Sequence, residues 1–271
     1  MQVTGNNPQH PHILSIRITT DGFSFYVLHS PGDTQPTVTH YPCEDKTKAA
    51  EQLQRCFEYT AGEGPFERIY VLVDSPATRI PLEHFRREEA ETLYRLTFPD
   101  TTPEDKVLYN ILPHVEAVEL FSLPATVCTW LYQRFPDIRI YGKYSMLLEK
   151  VMRRERRLSA NKHLYIYLEE KQMFTCLFQK GRLAFANTYA IESPANRLYF
   201  ILYVWKALGL DAEQDDCILL DSHPCKEETA EALRPYLRHV KLPARTELFP
   251  RISPAYAAAL PIDVCLLLTF D

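Results

Sequence analysis

Glycine is what this chain most lacks: eight residues in 271, about half of what the usual ~7% share would supply. Backbone turns that wrap a phosphate need N–H groups left uncovered by side chains, and glycine leaves them uncovered. A chain this poor in glycine has little material for such loops. Gly62-Glu63-Gly64 precedes Pro65 and an apolar run, the wrong context for a dinucleotide or P-loop turn.

Other absences narrow the field further. There is no G-x-S-x-G elbow, no H-E-x-x-H and no C-x-x-C, so the common nucleophile-elbow, zinc-protease and dithiol patterns are missing. The seven cysteines are odd in number and scattered through apolar segments, the usage of reduced thiols and not of a disulfide framework. Cys217, His223 and Cys225 lack an apparent fourth ligand, and Cys217 falls inside a predicted buried strand, so no metal site is expected. The opening MQVTGNNPQHPH has no apolar core of a signal peptide, and His10 and His12 read there as a flexible terminal segment. The longest apolar run, Tyr256 to Phe270, is broken by Pro261 and Asp263 and is too short for a membrane span. A formal net charge of -5 gives no global attraction to nucleic acid. These readings together predict a cytoplasmic protein with no transmembrane segment.

What is present is a pattern that occurs twice. ILSIRITTDGFSFYVLHS alternates apolar and polar residues about Asp21-Gly22, a favoured hairpin dipeptide. A third strand follows at Thr37 to Tyr41, then a helix over Glu44 to Thr60 and a buried strand at Glu67 to Val73. A helix centred on Phe85 to Leu96 and a strand pair, Lys106 to Leu112 and Val115 to Phe121, come next. Pro124 is placed in the first turn of a helix running to Arg134. Ile138 to Tyr141 is then a strand, and Lys143 to Arg157 a helix. About 150 residues after the first start, HLYIYLEE, QMFTCLFQK and LAFANTYA repeat the three-strand opening. A helix from Pro194 to Leu208, the strand DCILLD, a helix at Lys226 to Leu237 and a strand at His239 to Leu242 complete the second half. In the tail, YAAAL favours helix, whereas IDVCLLLTF fits either state.

Taken in order, TTDGFSFYVL, YVLVDSPATRIPLEHF, YNILPHVEAVELFSLPATV, RFPDIRIYGKYSMLLE and LYIYLEEKQMFTCLFQKGRLAFANTY resemble a Bacteroidota family of unknown function with an actin-like ATPase fold. The resemblance covers nearly the whole chain. It implies an α/β protein of two tandem ribonuclease H-like lobes, residues 1–158 and 159–271, each a mixed sheet flanked by helices. Fold alone does not imply ATP hydrolysis.

In actin-like ATPases the first hairpin of each lobe holds phosphate. Here the first turn offers Thr19, Thr20, Asp21, Gly22 and Ser24, but Asp21 sits inside the turn and bulky Phe23 follows its glycine. The second turn, Glu169-Glu170-Lys171-Gln172, has four long side chains and no glycine. Where the superfamily places a glycine pair against adenosine, this chain has Ser222-His223-Pro224-Cys225, and Pro224 removes a donor. The expectation is therefore a non-catalytic binding or scaffolding module with no catalytic residue, no cofactor and an unidentified protein partner. An atypical Mg-ATP site in the interlobe cleft, using Thr20, Asp21, Gly22 and Ser24 with Glu169, is the first alternative. The second is an RNA- or membrane-associated adaptor acting through the basic cluster Arg153–Arg157, with Glu149 and Glu155 offsetting part of that charge.

Overall fold

The structure is a computed structural model that describes residues 12–28, 36–43, 45–60, 66–155, 161–221 and 225–269. The chain divides into two compact units, Met1–Met146 and Leu147–Asp271.

In the first unit, β1 (His12–Thr19) and β2 (Gly22–Leu28) form the expected hairpin, and β3 (Thr37–Pro42) adds to it. The chain then makes α1 (Ala49–Thr60) and returns as β4 (Phe66–Val73), parallel to β1. Later, α3 (Ala125–Arg134) and β8 (Arg139–Gly142) complete the series, and α4 (Ser145–Glu155) begins at the end of this unit and continues into the second. The sheet order is β3-β2-β1-β4-β8, antiparallel through the first three strands and parallel thereafter. Leu14, Ile16 and Ile18 of β1 and Phe23, Phe25 and Val27 of β2 share one face, as period-2 alternation requires. They pack with Leu53 and Phe57 of α1 and Val127 and Leu131 of α3. Phe57 also meets the rings of Trp130 and Phe135 at 5.9 and 5.0 Å. Each such fully buried side chain contributes about 1.5–3 kcal/mol of transfer free energy.

Between β4 and α3 the first unit carries a second, smaller sheet of β5 (Ala77–Pro81), β6 (Asp105–Leu112) and β7 (Ala117–Pro124), in the order β5-β7-β6. One face packs on α2 (Ala90–Thr97) through Val118, Leu120 and the fully buried Tyr94. The other presents Phe121 and Leu123 to the main core. Where this insert leaves and rejoins the main chain, the Ser122 N–H donates to Ser75 Oγ at 3.2 Å. The Tyr94 hydroxyl lies 2.8 Å from the Pro76 carbonyl and 3.1 Å from Ser122 Oγ.

In the second unit, β9 (His163–Leu168), β10 (Gln172–Gln179), β11 (Arg182–Ala190), α5 (Pro194–Ala207), β12 (Asp216–Asp221), α6 (Lys226–Leu233) and β13 (His239–Lys241) repeat the first unit's order without the insert. The sheet reads β11-β10-β9-β12-β13, strand for strand the same topology. Lys180 and Gly181 form its second hairpin turn with φ of +52° and +70°, as their dipeptide predicts. Ser193 caps α5 by accepting from the Asn196 N–H, with Pro194 in the first turn. The ambiguous tail is helical: α7 (Arg245–Leu248), α8 (Pro254–Ala259) and α9 (Ile262–Leu268). None of the described helices is long and apolar enough to cross a membrane.

Several expectations require correction. β5 was not foreseen, because Pro76 precedes it, Pro81 is its last residue and Arg79 stands in its middle beside Thr78. The helix expected around Phe85 is confined to α2, with two 3-10 turns at Leu82–His84 and Arg87–Glu89 before it. α1 likewise starts after a 3-10 turn at Lys46–Lys48. Pro124 closes β7 and stands just before α3, outside its first turn. His12 opens β1 and pairs with Phe66, so it belongs to the sheet and not to a flexible terminus. His10 lies outside the described residues.

Burial also sets the chemistry of the cysteines. All seven are free and buried, and desolvation pushes the Cys217 and Cys265 thiols up to about 12. At about pH 8 a thiol so placed is ionised to only ~10⁻⁴. Iodoacetamide should leave both unlabelled in the folded protein over a period that labels them fully in guanidinium. Equal labelling in the two states would refute this.

Candidate functional site

The first hairpin turn is built differently from its dipeptide signature. Thr19 pairs with Gly22, so the loop is Thr20-Asp21 and Gly22 is the first residue of β2, a correction to the expected Asp21-Gly22 turn. The reason is the third strand. A Cβ on Gly22 would lie 2.2 Å from the Tyr41 carbonyl oxygen and 3.0 Å from Pro42 Cα, at a φ of +155°. The glycine's open side is thus filled by β3 and is not left facing solvent. The Cys43 N–H donates to the Asp21 carbonyl at 2.9 Å, tying the turn to the same strand. Thr19 Oγ1 donates to the Asp21 carboxylate at 2.5 Å. Ser24 lies on β2, 3.1 Å from His40 Nδ1, and Thr20 is exposed at the loop tip. The four candidates are close in sequence, but Asp21 is tied to Thr19 and Cys43, Ser24 faces His40 and Gly22 packs against β3.

In the second unit the corresponding loop is Glu169–Lys171. The Glu169 N–H donates to the Gln172 carbonyl at 2.9 Å, and Gln172 Nε2 donates to Glu169 Oε2 at 3.0 Å. The Ile191 N–H closes on the Lys171 carbonyl at 2.8 Å, while Glu170 and Lys171 stay exposed. Ser222, His223 and Pro224 lie outside the described residues; Cys225 is buried at the N-terminus of α6 and Cys217 inside β12. Among the described residues no group of three His, Cys, Asp or Glu is placed to hold a metal ion.

Of the basic cluster, Arg153 is exposed on α4, whereas the side chain of Arg154 and residues 156 and 157 lie outside the described residues. Glu155 does not offset that charge at the surface, as expected from sequence. It is buried, 2.8 Å from His163 Nδ1 and 2.6 Å from the Tyr165 hydroxyl. His163 Nε2 faces Asp216 at 3.2 Å, and Asp216 in turn meets Lys241 at 2.6 Å. Both ring nitrogens of this buried histidine face carboxylates, which leaves neither for a ligand.

The first unit holds two arrangements the sequence did not bring together. The register places Arg79, Glu119 and Asn110 side by side across β5, β7 and β6. Glu119 is fully buried; Arg79 Nη2 donates to its Oε1 and the Ser145 hydroxyl to its Oε2. Asn110 donates to the Ile140 carbonyl at 3.0 Å and accepts from the Gly142 N–H at 2.7 Å. One side-chain amide thereby pairs with the backbone of β8 as a neighbouring strand would. A Cβ on Gly142 would sit 2.6 Å from Glu119 Oε2, so this glycine is where β8 comes against the buried carboxylate. At the ends of β4 and β8, Lys143 is almost fully buried and pairs with Asp74 at 2.6 Å. The one hint of this row in sequence is Glu119 itself, a charge inside the apolar run Ala117 to Leu123.

Beside β6 runs a groove of about 520 Å³, within the usual range for ligand sites. Arg87 and Glu91 border it on the α2 side, Lys106 and Tyr109 come from β6, and Tyr132 of α3 and Ile140 of β8 form the opposite wall. The Lys106 ammonium stands 5.8 Å over the Tyr132 ring, a cation–π distance. Glu91 is engaged by Arg95 Nε at 3.0 Å. Arg87 and Lys106 form no ion pair among the described residues. Sequence reading missed this group because it gathers residues spread from 87 to 140 that share no motif.

Comparison with known proteins agrees with this architecture. No curated protein matches the chain significantly. Among solved structures, a Bacteroides thetaiotaomicron protein with actin-like ATPase fold and unknown function superposes with a TM-score of 0.74 at 26% identity, over 100% of both chains. The PilM-PilN type IV pilus biogenesis complex includes a chain that superposes with a TM-score of 0.51 at 12% identity, over 96% of this chain and 99% of that one. The family model described as protein of unknown function (DUF3822) matches residues 6–240. The chain therefore belongs to the DUF3822 family, and its fold is the two-lobed actin-like ATPase fold.

Proposed function

We propose that this protein is a non-catalytic binding or scaffolding module of the cytoplasm, an actin-like fold without nucleotide chemistry that acts through a protein partner. The observation that carries this reading is the space beside Gly22. Gly22, expected in the first phosphate-type turn, lies on β2, and the space beside its Cα is filled by the Tyr41 carbonyl, where a phosphate would need open N–H groups. The second turn supports the same reading with its internally bonded Glu169 and Gln172. Buried free thiols suit a reducing compartment. The distant PilM neighbour was solved as a complex with PilN, which supports a protein partner for this chain as well. Isothermal titration of the full chain with ATP, ADP and GTP in magnesium should give no heat of binding. Micromolar affinity for any of the three would overturn the reading.

A further inference from the structure

We propose that the free edge of β6 is a docking site for an extended, acidic peptide segment of a partner protein, which adds to the three-stranded sheet as a fourth strand. The inference rests on the binding-module reading and assigns the surface that would serve it.

β6 is an edge strand, paired with β7 alone. Its register is uninterrupted from Asp105–Pro124 to Leu112–Ala117, and the Ala125 N–H donates to the Glu104 carbonyl. Antiparallel ladders alternate hydrogen-bonded and non-bonded pairs. Lys106, Leu108 and Asn110 therefore bond to β7, while the backbone groups of Val107 and Tyr109 point away from it. Among the described residues no backbone group outside the ladder meets them, and the Tyr109 carbonyl accepts from Asn110 Nδ2 at 3.3 Å. The strand is closed at both ends. Arg95 Nη2 donates to the Asp105 carbonyl at 3.0 Å, and Asn110 is committed to β8. What remains open is the Val107 N–H and carbonyl and the Tyr109 N–H, and the groove runs along them. Unpaired edges of this kind take up extended peptides through main-chain hydrogen bonds, and flanking pockets select the side chains.

Charge decides which peptide fits. Within the groove Glu91 is neutralised by Arg95, which leaves Arg87 and Lys106 as the uncompensated charges, one on each side of the exposed edge. This local excess of cations favours an acidic segment, whereas edge-to-edge pairing with a second copy would bring the same cations against each other. Tyr132, 42% exposed, and Ile140 supply an apolar wall for alternate side chains.

The test pans the full chain against a phage library of random linear peptides of β6's own length, 8 residues. Selected peptides should be enriched in Asp and Glu and should weaken as salt is raised. Val107→Pro removes the outward N–H without touching a ladder bond and should cost about tenfold in affinity. Arg87→Glu with Lys106→Glu should cost at least about as much; both side chains are exposed, so this variant keeps the test readable if the proline variant unfolds. No enrichment, enrichment of neutral or basic peptides, or unchanged affinity in both variants would overturn the proposal. So would sedimentation showing a dimer that Val107→Pro dissociates, since the edge would then belong to a second copy. Peptides that bind but ignore these variants reject the groove and leave the binding-module reading standing. A positive nucleotide titration does the reverse.

Discussion

Replacing Glu119 with leucine should lower the unfolding midpoint by roughly 10 °C. Glu119 is fully buried and accepts from Arg79 and Ser145; the Arg79 side chain is itself only 10% exposed. Deleting one member of a buried ion pair costs about 3–5 kcal/mol, because the remaining charge keeps its desolvation penalty and loses its compensation. In a protein of this size each kcal/mol moves the midpoint by about 2–4 °C. Removing both charges is a different experiment. Glu119→Leu with Arg79→Met should recover much of the loss, since an apolar pair of similar volume is often neutral. Thermal melts of the two single variants and the double variant provide the check. A Glu119→Leu midpoint within about 2 °C of the parent would show that the row across β5, β7 and β6 does not hold the insert to β8.

Gly22→Ala is the second large effect. The new methyl would lie 2.2 Å from the Tyr41 carbonyl oxygen, a contact with backbone that no rotamer relieves. At a φ of +155° the substitution adds conformational strain of about 1–3 kcal/mol. The expected outcome is a loss of at least about 3 kcal/mol together with faster amide exchange in β3, which must move off β2 to make room. Unchanged exchange at Thr39 and Tyr41 with an unchanged melt would mean that the close approach beside Gly22 is not a constraint on the fold.

These two sites mark where sequence reading works and where it stops. The paired hairpin openings, the apolar runs of β4, β9 and β12 and the Lys180-Gly181 turn are local signals, and the structure places all of them in the core sheets. The doubled strand order follows from the repetition of those signals. Asp21-Gly22 misleads because dipeptide rules describe an isolated turn, while here the neighbouring strand β3 sets the conformation. β5 escaped because proline at either end and Arg79 within it suppress the alternation that betrays a strand; its partner for that arginine stands 40 residues away. Glu119 was visible as an anomaly within an apolar stretch, but its meaning depended on Asn110 and Ser145, which only the register brings to it. The groove beside β6 was not legible at all. Edge exposure is a property of sheet order, and charge balance around Glu91 depends on which arginine reaches it.

The bond between Ser75 and Ser122 has a consequence for how this lineage can vary in length. It closes the insert at its base, where Tyr94 also reaches Pro76 and Ser122. Once a loop's ends are held together, the entropy of lengthening it grows only logarithmically, about 0.6 kcal/mol per doubling. Residues added or lost at the far side of the insert, away from the row that grips β8, therefore leave the order of the five-stranded sheet unaltered. Relatives of different size should differ mainly between positions 82 and 89, ahead of α2 and beyond a neck that stays the same.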